Sequence, residues 1–141
     1  MRKLLPGLCC LGVLLAAGCQ HTAARPPLEV KRYGSVIGLK EEKIEYYKEL
    51  HANAWPEVLK KIEECNIRNY SIYLHRLDDG KHYLFSYFEY VGKDFKADMA
   101  KMAADPMTQK WWKETDPCQF PVKHRAEGEW WAGMEEVFHC P

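Results

Sequence analysis

The sequence predicts one α+β domain whose elements run β-α-β-β-α-β. Three observations predict it. Residues 41 to 66 repeat apolar side chains at helical spacing, two aromatic-rich β runs flank Asp78-Asp79-Gly80, and a second helical stretch is followed by a closing apolar run. This order is the ferredoxin-like split βαβ pattern, an antiparallel sheet with helices on one face. A chain of 141 residues holds one core and therefore one principal site.

The first nineteen residues read as a targeting signal. Arg2 and Lys3 give a positive start, Leu8 to Leu15 is apolar, and Ala16-Ala17-Gly18-Cys19 puts small residues before a cysteine. The apolar run is shorter than the roughly 20 residues a bilayer span needs. Leu-Ala-Ala-Gly-Cys resembles the bacterial lipobox, so the expectation is lipid attachment at Cys19 and an exported lipoprotein anchored on the periplasmic side. Without acylation the same leader is a plain secretory peptide, and either reading exports the chain. Residues 20 to 30, with Pro26 and Pro27, have the composition of a tether. The folded domain is expected over residues 31 to 141.

Residues 32 to 40 form a β-branched and apolar run, read as the first strand. From Glu41 onward Ile44, Tyr47, Ala54, Val58 and Ile62 define a helical apolar face. Pro56 lacks an amide hydrogen and disfavours helical geometry at Trp55, so this helix should break there. Residues 67 to 77 and 81 to 91 are strands of a hairpin turned by Asp-Gly. A helix over 94 to 104 should turn Phe95, Met99 and Met102 inward. Asp105-Pro106 then starts another, because Asp caps well and Pro suits the first helical position. Residues 116 to 129 read as a surface loop and 130 to 139 as the last strand. An aromatic second sheet face points to a two-fold homodimer of the dimeric α/β-barrel type, with two sheets packed together.

Twenty basic residues balance twenty acidic ones, which argues against nucleic acid or anionic lipid headgroups as partners. A compact neutral ligand suits this balance, and the 13% aromatic content exceeds what so small a core needs. Besides Cys19 and the leader thiols, Cys65, Cys118 and Cys140 remain. They allow one disulfide in an oxidising compartment, with the pairing open. There is no Cys-x-x-Cys and no i, i+4 histidine pair, so no metal site is expected.

His51 lies four residues after Tyr47 and four before Trp55, on one side of the helix. It is either a partly buried histidine bonded to backbone or a group that gives and takes protons near neutral pH. The break at Pro56 is expected to leave it near unpaired helix carbonyls, which would favour its charged form. Tyr70 and Tyr73 fall on opposite faces of their strand, so only one can face the helices. Trp111 and Trp112 sit about 100° apart around their helix, so one can pack inward while the other flanks a cavity. Core packing is the alternative reading for each of these aromatics.

The strings His51-Ala52-Asn53-Ala54-Trp55-Pro56-Glu57-Val58, Asn69-Tyr70-Ser71-Ile72-Tyr73-Leu74, Gln109-Lys110-Trp111-Trp112-Lys113 and Glu135-Glu136-Val137-Phe138 resemble, in that order, the motifs of the L-rhamnose mutarotases. The resemblance spans about residues 32 to 141. It implies a dimeric ferredoxin-like enzyme that interconverts sugar anomers by acid/base ring opening without a cofactor, acting on L-rhamnose or a related aldose. It implies His51 as the catalytic acid/base, Tyr47 and Tyr70 as sugar contacts, and Trp111 and Trp112 as the pocket lining. The lipobox, the loop 116 to 129 and Trp130-Trp131 lie outside the shared motifs. The rival readings are a haem- or aromatic-binding monooxygenase on the same dimeric fold, and a sugar-binding lipoprotein without catalysis.

Overall fold

Strand β1 (Lys31–Leu39) is the middle of the sheet in a computed structural model that describes residues 29–141. The leader and Cys19 lie outside the described residues. One edge of β1 pairs antiparallel with β3 (His82–Tyr90), which pairs in turn with β2 (Ile67–Arg76). The other edge is shared by two short strands, β4 (Gln119–Phe120) and β5 (Ala132–Met134). The order β2-β3-β1-β4, with β5 beside β4 along β1, is the ferredoxin-like arrangement expected from the sequence.

The helix after β1 divides at Pro56 as expected. A 3-10 turn leads into α1 (Ile44–Ala52), and α2 (Pro56–Glu64) begins on the proline. Trp55 between them is extended, the geometry that a residue before proline adopts. After the hairpin come α3 (Phe95–Ala103) and α4 (Pro106–Thr115). Asp94 and Asp105 cap them, accepting from the backbone N–H groups of Ala97 and Thr108. Tyr47 from α1 packs with Ile37, Leu39, Leu84 and Cys118, and Ile44, Ile72, Leu74 and Trp131 close around them. The core therefore lies between the helices and one sheet face. Cys65, Cys118 and Cys140 are unpaired, the first two buried and the third exposed.

Two expectations for the C-terminal third need correction. The stretch read as loop contains a 3-10 turn over Asp116–Cys118 and strand β4, and the final strand covers only Ala132–Met134 rather than 130 to 139. Hydropathy marks an apolar run, whereas a strand also needs a neighbouring edge, and β1 offers β5 only Gly34 to Val36. Past Met134 the chain leaves the sheet, with Val137 88% and Phe138 80% exposed.

Gly38 fixes where β4 docks. It pairs with Phe120, whose ring occupies the space a side chain at 38 would take. Gly38→Ala should destabilise the fold by about 1–3 kcal/mol, the usual range for forcing a methyl into a filled site. Urea unfolding of the two proteins at one pH checks this, and an unchanged midpoint would show that Phe120 swings away freely.

Candidate active site

A cavity of about 790 Å³ opens between the helices and the inner sheet face, within the range of about 300–1,000 Å³ usual for small-molecule sites. Its wall brings together all five residues singled out as catalytic or sugar-contacting, His51, Tyr47, Tyr70, Trp111 and Trp112.

Helix α1 sets the first pair. Tyr47 and His51 are one turn apart, and their rings stack at 4.1 Å between centroids. The Nδ1 of His51 lies 2.9 Å from the Tyr47 carbonyl, which can only accept, so Nδ1 carries the hydrogen and donates. The Nε2 lone pair of the neutral ring is left for the cavity. Trp111 meets the imidazole edge-on at 5.2 Å and Trp55 at 5.3 Å, so the break at Pro56 places an indole against the far side of the same cluster.

The carbonyl that meets His51 belongs to Tyr47, in the first turn of α1 rather than at the end the break leaves open, and the expected charged form is not what results. Burial among these rings lowers the His51 pKa below its ordinary 6.5 and outweighs the opposing hydrogen bond to Tyr47. Desolvation wins because one carbonyl replaces only part of the water that an imidazolium would hold. Burial likewise raises the phenols of Tyr47 and Tyr70, with the neighbouring Tyr70 a further contribution at Tyr47, so both stay protonated and able to donate.

Tyr70 reaches the cavity through a β-bulge. Arg68 pairs with Glu89 but Ser71 pairs with Tyr87, so β2 carries one extra residue there. Asn69 absorbs it in the left-handed region at φ 50°, and its side chain donates to Glu89 at 2.7 Å. The bulge reverses the alternation, turning Tyr70 to the helices along with Ile72 and Leu74 and leaving Tyr73 on the other face. Tyr70 is 44% exposed, as a ring on the wall of an open cavity. Asn69→Ala should cost about 1–2 kcal/mol, because alanine tolerates left-handed backbone poorly and cannot bond Glu89. Thermal unfolding beside Asn69→Gly checks the backbone share, since glycine accepts that φ without strain.

Helix α4 supplies the indoles. Trp111 is buried against His51 while Trp112 is partly exposed, the inward-and-flanking division that their 100° separation requires, and both line the cavity. Asp116, Gln119, Trp130 and Trp131 also line it, and sequence reasoning did not assign them to the site. The Trp130-Trp131 doublet was the available signal, though only the fold shows that residues 116 to 131 return to the cavity.

Fold and site together define a class: a ferredoxin-like α+β domain with one histidine, two tyrosines and an indole pair around a monosaccharide-sized or larger cavity. The L-rhamnose mutarotase family profile matches residues 32–140, and the chain belongs to that family. It is 32% identical to an L-rhamnose mutarotase of Oceanobacillus iheyensis over 116 residues, covering 78% of this chain and 98% of that protein. An L-rhamnose mutarotase of Bacillus subtilis is 32% identical over 88 residues, covering 62% of this chain and 79% of its own length. Among solved structures, that of an L-rhamnose mutarotase from Formosa agariphila superposes with TM-score 0.58 at 23% identity, covering 79% of this chain and 99% of that one. The tetracenomycin F2 cyclase of Streptomyces glaucescens, a polyketide cyclase, superposes with TM-score 0.57 at 12% identity over the same shares. The fold thus hosts more than one chemistry, and the side chains in the cavity select among them.

Proposed function

We propose that this protein is an aldose mutarotase interconverting the α and β anomers of L-rhamnose, with His51 as the acid/base. The observation that carries this is the Nδ1 hydrogen bond to Tyr47, which leaves Nε2 as a free base in a cavity that the protonated phenols of Tyr47 and Tyr70 also line. Nε2 takes the proton from the anomeric hydroxyl, and that O–H electron pair forms the carbonyl as the bond from C1 to the ring oxygen breaks. The ring oxygen receives the departing pair and takes the proton back from the imidazolium. Rotation about C1–C2 presents the other carbonyl face, and the same steps reverse to close the ring. Tyr47 and Tyr70 hold sugar hydroxyls, while Trp111 and Trp112 cover the apolar ring face and the 6-methyl group.

Saturation-transfer NMR on L-rhamnose tests the reading directly. Catalytic amounts of protein should speed exchange between the anomeric proton signals beyond the buffer rate, and exchange at the buffer rate would refute it.

We further propose a two-fold dimer formed through the sheet face that the helices leave open. Tyr73 and Met134 are exposed large apolar groups on that face, the segment after Met134 adds exposed Val137 and Phe138, and burial of such groups against a second copy would remove them from water. A monomer mass by sedimentation at working concentration would count against it. The leader composition supports a third proposal, export with lipid attachment at Cys19, for which loss of metabolic palmitate label in Cys19→Ser is the test.

A further inference from the structure

Gln119 is 95% buried beside the catalytic cluster, as its 5% exposure shows, and every polar atom of its side chain is used. It sits on β4, where pairing of Leu39 with Gln119 and of Gly38 with Phe120 turns it toward the helices. The indole Nε1 of Trp130 donates to its Oε1 at 2.8 Å, and its Nε2 donates to the Tyr47 hydroxyl at 3.4 Å. The directions follow from chemistry. An indole N–H can only donate, so the amide oxygen must face Trp130 and the NH₂ must face Tyr47. The Tyr47 oxygen is thereby an acceptor toward the protein, and its own hydrogen is left to point elsewhere, into the cavity.

We propose that Trp130 and Gln119 are positioning residues that fix the hydrogen-bond polarity of Tyr47, making its hydroxyl a donor to the bound sugar. The inference rests on the mutarotase reading of this cavity and extends it to the segment outside the shared motifs. A tyrosine free to rotate spends part of its time donating to protein and offering the sugar only a lone pair. An amide locked by an indole removes that alternative before the sugar arrives, which is preorganisation of a donor at the reacting centre. Burial keeps the Tyr47 phenol protonated through the working pH range, so the donor stays available.

Anomer exchange measured in a double-mutant cycle tests this. Gln119→Leu keeps the side-chain bulk and removes both bonds, and should lower kcat/KM for L-rhamnose roughly tenfold, as for the loss of one oriented hydrogen bond. In a Tyr47→Phe background the same change should have less than about a twofold effect, because there is no hydroxyl left to orient. A merely structural role for Gln119 would lower the rate equally in both backgrounds, and that outcome, or no loss in either, overturns the relay. Trp130→Phe keeps an aromatic ring on a side chain that is 40% exposed and removes only the N–H, so it carries the same test should Gln119→Leu fail to fold. Its loss must also vanish in the Tyr47→Phe background. A wild type without exchange overturns the mutarotase reading and the relay with it, whereas an active wild type with uncoupled variants overturns the relay alone.

Discussion

His51→Ala is expected to lower the rate of anomer exchange by about 10²–10⁴-fold, the range in which a positioned proton-transfer group acts. Folding should change little by comparison. The bond lost is from Nδ1 to the Tyr47 carbonyl within α1, and His51 is only partly buried, so water entering from the cavity can serve that carbonyl. The pH profile gives a second check. Because the folded pKa lies below 6.5, the neutral base predominates at pH 7, and activity should fall only as pH drops through that lower value. Stability follows the same sign. The unfolded chain takes up its proton first, so this contribution is complete above about pH 6.5 and is lost as pH falls from there toward the folded pKa. A rate profile with its His51 inflection above 6.5 would contradict the burial argument.

Trp111→Ala should show the largest stability loss among the site residues, about 3–5 kcal/mol, the range for truncating a buried tryptophan. Only 8% of Trp111 is exposed, and its ring braces both His51 and Trp55. Its loss would merge the space it fills with the cavity already there, where water can enter, which favours the lower end. Urea unfolding gives the energy. Exchange kinetics should show a raised KM as well, because the same ring is a wall of the sugar site. Trp112, on the exposed side of the helix, should cost much less stability for the same truncation, so the pair separates packing from lining.

The succession of elements was legible because each rests on local chemistry. Pro56 breaks its helix at the position where its ring forbids continuation, Asp-Gly turns the hairpin, and Asp105-Pro106 starts α4. The membership of the site was legible for a similar reason. Spacing put Tyr47 and His51 one helical turn apart and made the adjacent tryptophans diverge, while the resemblance of the short motifs to the L-rhamnose mutarotases picked out the five as a set. The charge expected on His51 was not legible. It depends on how much water the surrounding rings exclude, and those rings come from α4 as well as α1, with Trp55 of the break behind Trp111.

The sequence by itself determined the element order, the family, and the five aromatic and imidazole groups of the candidate site, because helix periodicity, turn chemistry and short motifs act over a few residues. Tertiary structure alone decided that Asn69 bulges its strand to turn Tyr70 inward and that the last strand ends at Met134. It also brought Gln119 to Tyr47 and Trp130 to Gln119, across separations of 72 and 11 residues. Those outcomes depend on which edges, rings and amides meet after the chain has closed on itself, and pattern along a sequence does not record such meetings.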